Sequence, residues 1–208
     1  MREHKPVIAI TMGDACGIGP EIILKAWTSG EIFEKCTPVV VGDAKILERA
    51  KGYVGSNLEI VPVKSLDTIP DGSDAVPCLD LDLLPEDLPL GTVRAEAGMA
   101  AFRFLEKAVS LALDGQVTAI CTAPLNKAAL KAAGLSYPGH TEILASLTGT
   151  TDYAMMLSAP QLKVSHVTTH KGLIEAIASI TWQRVLTVIR LTHTALRLFG
   201  IAEPRIAV

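Results

Sequence analysis

The chain has 208 residues, of which 49% are apolar, 20% charged and only 4% aromatic, and its formal net charge is −3. That length can bury a sizeable core as one large domain or two small ones, and the low aromatic content makes that core aliphatic and alanine-rich, as in helix-covered parallel sheets. The mild negative charge and the lack of a Lys/Arg cluster argue against a nucleic-acid partner; no apolar run approaches the roughly 18 residues of a membrane span and no signal-peptide core follows residue 5, so a soluble, cytoplasmic protein is expected.

Residues 7–12 are apolar on both faces except at Thr11, the pattern of a buried parallel strand. They run into Gly13-Asp-Ala-Cys-Gly-Ile-Gly-Pro-Glu21 and a helix from Glu21 to about Trp27. The glycines allow a tight turn or the close approach of backbone to a ligand, and Pro20 suits a first helical position. Their spacing matches neither the dinucleotide fingerprint nor the phosphate-binding P-loop. Asp14 either faces a ligand or caps the helix. A second strand is read at residues 37–43, a helix from Ala44 to about Lys51, and a third strand at residues 58–63. Residues 64–89 are rich in Pro, Asp and Gly, and within them only 76–79 look strand-like. Apolar residues recur throughout, so this is a connecting region and not a linker between independent domains. Residues 92–114 carry the longest helix signal. Phe102, Leu105, Val109 and Leu113 recur at three- and four-residue steps as a stripe that should pack on the sheet, and Gly115 ends it.

Residues 117–121 read as a short buried strand, followed by Thr122-Ala-Pro-Leu-Asn-Lys127, a helical segment over 125–133, and Tyr137-Pro-Gly-His-Thr-Glu142. Here the chain concentrates its chemistry. Asn126, Lys127, His140, Thr141 and Glu142 fall at the C-terminal end of a strand and on the helices after it, the edge where open α/β sheets bind ligands. An amide, a cation, an imidazole and a hydroxyl in one place suit an anionic, hydroxylated small molecule. The same residues also admit plainer roles: Pro138-Gly139 as a turn, Thr141 as a helix cap, Asn126 and Lys127 as ordinary helix-start polar residues.

A further helix is read to about residues 148–149, then a hairpin of residues 153–158 and 162–168 around Ala159-Pro160, with Met155 and Met156 as core fillers. Helices at 173–178 and about 181–199 follow, the second ended by Gly200, and residues 204–208 begin another strand. Cys16, Cys36, Cys78 and Cys121 lie far apart without a CxxC pair, so buried free thiols are expected instead of a zinc knuckle or disulfide framework. His166 and His170, four apart, would share a face on a strand or a helix, which fits a metal pair. Two histidines are not a catalytic metal site, however, which takes three protein ligands, and no Asp or Glu lies between Tyr153 and His170. The alternative makes His166 a satisfied core histidine and His170 a loop histidine. His4 and His193 are read as surface residues.

Taken together, Ile10-Thr-Met-Gly-Asp14 with Gly17-Ile-Gly-Pro-Glu21, Thr122-Ala-Pro-Leu-Asn-Lys127, Tyr137-Pro-Gly-His-Thr-Glu142, Asp152-Tyr-Ala-Met155 and His166-Val-Thr-Thr-His170 stand in an order that resembles the 4-hydroxythreonine-4-phosphate dehydrogenase family. Ala15-Cys16 departs from it where the family usually reads Pro-Ala. The family's chain also continues past the strand at Arg205 into Asn-Pro-His-Ala-Gly-Glu and Tyr-His-Asp-Gln motifs, each with a metal-binding histidine. Neither occurs here, so the sequence resembles the N-terminal portion of the family enzyme, truncated at the C-terminus inside a strand.

The resemblance implies a three-layer α/β/α sandwich, mostly parallel, like the isocitrate and isopropylmalate dehydrogenases, with two α/β subdomains flanking a cleft. It implies oxidation of a 4-phosphorylated four-carbon hydroxy acid at its secondary alcohol, dependent on NAD and on a divalent metal (Zn, Mg, Mn or Co), followed by decarboxylation. His170 would be the metal ligand and His140 and Thr141 would bind the substrate, with Asn126 and Lys127 candidates for the same pocket. No catalytic base is assigned. The Thr-Met-Gly-Asp opening is similar to the branch acting on 4-phospho-D-threonate or 4-phospho-D-erythronate more than to the vitamin B6 branch acting on 4-phosphohydroxy-L-threonine. A homodimer is implied, with the hairpin as a candidate surface, and neither nucleic acid nor membrane as a partner. With one metal-binding histidine, the chain alone is expected to be inactive, or only to bind a phospho-ligand, or to assemble with a complete subunit.

Overall fold

The computed structural model describes residues 5–70 and 74–208; His4 and part of the Pro/Asp/Gly-rich connection lie outside the described residues. Two units are distinguished, Met1–Thr148 and Gly149–Val208.

Parallel strands cannot be joined by hairpins and need crossovers, and the first unit is built from these. β1 (Val7–Thr11), β2 (Thr37–Gly42), β3 (Glu59–Val63), β4 (Ala75–Asp80) and β5 (Ala119–Thr122) form an all-parallel sheet in the order β3-β4-β2-β1-β5. Helices α1 (Gly19–Ser29) and α2 (Ile32–Lys35) link β1 to β2, and α3 (Ala44–Val54) links β2 to β3. Helix α4 (Ala95–Leu113) links β4 to β5, and α5 (Lys127–Ala132) and α6 (His140–Thr148) follow β5. The steps from β1 to β2 and from β2 to β3 run one way across the sheet, and the step from β4 to β5 runs the other. Right-handed crossovers therefore put α1 and α3 on one face and α4 on the opposite face. The packing agrees, with α1 against α3, and α5 and α6 against α4. This is the α/β/α sandwich that the sequence leads one to expect.

The consequence for function lies between β1 and β5. These neighbours are followed by helices on opposite faces, so the chain diverges at their C-terminal ends and leaves a topological switch point.

Val39, Val40 and Val41 of β2 are fully buried, as a strand covered on both faces requires. The Trp27 Nε1–H donates to the Ala75 carbonyl at 3.0 Å, which satisfies the polar atom of a large buried side chain. The α4 stripe differs from the expectation. Leu105 and Val109 are buried, but Leu113 is exposed, and the face toward the main core is Ala97, Ala100, Phe104, Ala108 and Leu111. Small alanines let α4 lie close to the sheet. Leu105 turns instead to Leu130 and Ile143, in a second cluster that seats α5 and α6 on α4.

Two other expectations are corrected and one is borne out. The strand-like stretch 76–79 of the connecting region lies in β4, an internal strand between β3 and β2. Its Pro77 argues against a central strand, but the β2–β4 register begins at Cys78, so no ladder bond to β2 is lost. Cys16 and Cys78 are buried, Cys36 is half-buried and Cys121 is exposed, because β5 is an edge strand and not the covered strand its apolar run suggested. Residues 204–208 form no strand, since among the described residues no strand pairs with them.

In the second unit β6 (Met156–Ser158) and β7 (Lys163–Ser165) make the expected antiparallel hairpin, followed by α7 (Leu173–Ala178) and α8 (Trp182–Leu198). The Thr181 hydroxyl caps α8 by accepting from Arg184 N at 3.2 Å. Arg184 then clamps both sides of the hairpin, donating to the carbonyls of Val167 (2.9 Å) and Tyr153 (3.0 Å). Met155 and Met156 are only half-buried. Among the described residues no helix is long and apolar enough to cross a membrane.

The closeness of α4 to α5 rests on Gly98. A Cβ there would lie 2.2 Å from the Ala129 carbonyl oxygen, a backbone atom that cannot swing aside. Gly98→Ala should destabilise the chain by about 1–3 kcal/mol despite the better helix propensity of alanine. Urea unfolding checks this: an unchanged or raised midpoint would contradict so close a packing.

Candidate functional site

At the switch point the loop after β1 meets the loop after β5. Gly13 adopts φ +69°, and a Cβ on it would lie 2.3 Å from the Pro124 oxygen and 2.8 Å from the Ala123 oxygen. Only glycine fits. Asp14 N donates to the Pro124 carbonyl at 2.9 Å and fastens the two loops. Gly19 is as tight, its added Cβ falling 2.2 Å from the Met12 oxygen. The space these two glycines leave is thus filled by protein backbone, not held open for a ligand. Asp14 is buried, and its Oδ1 accepts from Cys16 N at 3.0 Å. It shapes the loop as an Asx turn and does not cap α1, whose N-terminus has no side-chain cap.

The Ala123 carbonyl also lies close enough to influence the His140 ring. Burial holds the half-buried imidazole below its ordinary pKa of about 6.5, and the Ala123 carbonyl, accepting from the ring, opposes this only in part. The neutral ring then keeps a second nitrogen as acceptor. Thr141 and Glu142, both half-buried, complete the first turn of α6, closed by Ile143 N donating to the Gly139 carbonyl at 3.3 Å. The Glu142 Oε2 lies 3.6 Å from where a Gly139 Cβ would be and is shielded without a hydrogen-bond partner. A carboxylate there complements the positive end of the helix. Tyr137 stacks on Phe102 with ring centroids 6.0 Å apart, and its hydroxyl lies 3.2 Å from Ser146 Oγ, which orients the segment leading to His140.

Asn126 takes the plainer of its two roles. Its Oδ1 caps α5, accepting from Ala128 N (2.9 Å) and Ala129 N (3.2 Å). Lys127 is exposed at the first position of that helix. At the ends of β2 and β4 lies a group that sequence reasoning passed over. Asp43 is fully buried, and its Oδ2 accepts from Leu83 N and Leu84 N at 3.0 Å each, while burial pushes its carboxyl up. Asp80, not Asp43, accepts from Ala44 N at the start of α3.

His170 belongs to the second unit. It is exposed and has φ +58°, left-handed backbone that a non-glycine residue rarely adopts and that is often found where function demands it. The strand ends at Ser165, so His166 and His170 do not share a strand face. His166 is half-buried with Nε2 shielded and unpartnered, which is not the satisfied core histidine of the alternative reading. Among the described residues no group of three or more His, Cys, Asp or Glu side chains could hold a metal ion. His170 fits a metal as one exposed ligand, not as a complete coordination set.

The lowered His140 pKa has a direction in stability. The folded state binds this proton less readily than the unfolded chain, so the contribution of the neutral ring is fully present above pH about 6.5 and is lost as pH falls toward the folded value. An NMR titration of His140 should give a midpoint below 6.5, and His140→Gln should flatten the loss of stability in that interval. A midpoint at or above 6.5 would contradict the burial.

Comparison with known proteins supplies a frame for this geometry. D-threonate 4-phosphate dehydrogenase of Cupriavidus necator is 50% identical over 208 residues, covering 100% of this chain and 62% of the relative. A crystal structure of a 4-hydroxythreonine-4-phosphate dehydrogenase from Burkholderia phymatum superposes with a TM-score of 0.88 at 47% identity, covering 98% of this chain and 62% of that one. The enzyme of that name from Klebsiella pneumoniae gives 0.89 at 42% identity, covering 99% and 62%. The chain thus spans about 62% of the length of the relatives it matches. With residues 34–208 also matching the family described as pyridoxal phosphate biosynthetic protein PdxA, the chain belongs to the PdxA family.

Proposed function

We propose that this chain forms the substrate-binding part of a dehydrogenase acting on a four-carbon, 4-phosphorylated hydroxy acid, with D-threonate 4-phosphate favoured over the erythronate and 4-phosphohydroxy-L-threonine. The observation that carries this reading is the 50% identity with a D-threonate 4-phosphate dehydrogenase along the whole chain. The Thr11-Met-Gly-Asp14 opening leans the same way. The reaction would be oxidation of the secondary alcohol, for which NAD, when bound, would serve as the hydride acceptor. The β-keto acid so formed loses carbon dioxide.

His140 and Thr141 carry the binding role. A neutral, half-buried imidazole near the Ala123 carbonyl can present one nitrogen to a substrate hydroxyl, and the Thr141 hydroxyl can donate or accept beside it. The Gly13 and Gly19 contacts leave no cradle for a dinucleotide on that loop, so no NAD-binding residue is assigned. His170 would supply one ligand to a divalent metal (Zn, Mg, Mn or Co), which when bound would polarise the alcohol oxygen and lower its pKa. With one such ligand, the 208-residue chain alone has little or no turnover. We place the enzyme in the cytoplasm and on a route of pyridoxine or carbohydrate-acid metabolism.

The test compares this chain with a protein extended to the length of its relatives, following NADH formation from D-threonate 4-phosphate with and without a chelator. The extended protein should be active and chelator-sensitive. His170→Ala should abolish turnover with the fold intact, and His140→Ala should raise KM. Chelator-resistant turnover by the short chain would sink the metal role of His170.

The same reading includes a homodimer. Leu157, Leu162 and Val164 of the hairpin and Leu173, Ile174 and Ile177 around α7 are exposed apolar residues close together in sequence within the second unit, more than isolated surface residues would explain. Sedimentation at micromolar concentration should show a dimer that Ile174→Glu weakens. A monomer unaffected by that change counts against it.

A further inference from the structure

The loop that carries His170 runs from the end of β7 at Ser165 to the start of α7 at Leu173, wholly within the second unit. His166 N still donates to the Met155 carbonyl at 2.9 Å and extends the hairpin by one step. Beyond it, residues 167–171 make no backbone–backbone hydrogen bond among the described residues. Yet His170 sits in left-handed backbone, which a non-glycine residue keeps only where its surroundings enforce it. Side chains on either side of it supply that hold. Downstream, Lys171 Nζ donates to Ser179 Oγ at 2.7 Å and lies 3.6 Å from Glu175 Oε1, which fastens the loop to α7. Upstream, the hold is Arg184 of α8.

Arg184 is half-buried and enters no ion pair among the described residues. Its Nε and Nη2 form the side-on edge of a rigid planar fork, two parallel donors, and this edge spans the Val167 carbonyl at 2.9 Å and the Tyr153 carbonyl at 3.0 Å. Those carbonyls flank the open end of the hairpin, since Tyr153 precedes β6 and Val167 follows β7. The Arg184 backbone is fixed in turn, its N–H donating to the Thr181 cap at 3.2 Å. Val167 lies only three residues before His170, so the first turn of α8 sets the course of the loop toward the histidine. We propose that Arg184 is a positioning residue for His170, holding the Val167 end of the loop so that the imidazole is offered to the divalent metal in a fixed pose. This deepens the dehydrogenase reading and rests on the metal role that His170 has in it. The action runs through the backbone, as outer groups around a metal orient the residue that ligates it. A lysine head is a single point charge and cannot bridge both carbonyls in a fixed geometry.

The first measurement is on the isotope-labelled 208-residue chain, where left-handed backbone at His170 gives a strong intraresidue NOE between its amide and α protons. Arg184→Met keeps the apolar stem, removes the donors and should lose that strong NOE. Arg184→Lys should lose it too, which keeps the proposal open to test if the methionine variant fails to fold. Thr181→Ala removes the α8 cap and leaves the donors on Val167 and Tyr153 in place; it should lower the melting temperature and keep the NOE, which separates positioning from stability. The second measurement is on the protein extended to the length of its relatives, titrated with cobalt(II) alone and followed by visible absorption. Arg184→Met should raise the cobalt dissociation constant about tenfold or more, and His170→Ala should raise it further. A strong NOE retained in both Arg184 variants would overturn the proposal, as would cobalt affinity unchanged in Arg184→Met but weakened in His170→Ala. Cobalt affinity unmoved by His170→Ala would instead sink the metal role itself, and the proposal with it.

Discussion

The candidate site depends on one close approach, the passage of Gly13 beneath the Ala123 and Pro124 carbonyls. Parallel topology brings the ends of β1 and β5 side by side and sends their following helices to opposite faces. That divergence would leave an open gap if the two loops did not touch. A glycine in left-handed conformation lets them meet, and the hydrogen bond from Asp14 N to Pro124 O fixes the contact. The Ala123 carbonyl, held by this contact, also lies close enough to influence the His140 ring. The His140 imidazole therefore lies beside a backbone atom whose own position is set by the sheet.

The apolar side of the same arrangement is the cluster of Leu105, Leu130 and Ile143, which holds α5 and α6 on α4. Gly98 allows the approach and Asn126 caps the start of α5, so residues that resemble ligand-binding groups in sequence also serve as scaffold. Burial contributes twice here. It seats the helices and it keeps the His140 imidazole neutral, since a charged ring in that environment loses solvation that one carbonyl only partly replaces. A neutral ring beside a helix N-terminus can accept a proton from a ligand hydroxyl in a hydrogen bond, which an imidazolium cannot.

Much of this was legible in the sequence because local chemistry and tertiary structure agree. The apolar run of β1, the hairpin around Ala159-Pro160 and the helix stops at Gly115 and Gly200 all fall where propensity puts them. What could not be read depends on neighbours distant in the chain. Residues 76–79 were legible as a strand but not as an internal one, because only the register shows that the ladder to β2 starts after Pro77. Cys121 looked buried, because an apolar run does not say whether its strand is internal or at an edge. The α4 stripe was read from its large residues, whereas the face against the main core is mostly alanine. The glycines of the first loop admitted either a tight turn or a ligand in sequence, and only the structure shows that backbone fills the space. The left-handed backbone at His170 has no sequence signature at all.

The central claim is that the ligand of this chain sits where β1 and β5 diverge, against His140 and Thr141. The most direct measurement is a titration of the isotope-labelled chain with D-threonate 4-phosphate, following the His140 ring and the Thr141 backbone amide by NMR. The account predicts saturable shifts at both, with the His140 ring responding while the capped amides of Ala128 and Ala129 on α5 stay nearly fixed. Saturable shifts that leave His140 and Thr141 unmoved and appear elsewhere in the chain would contradict it.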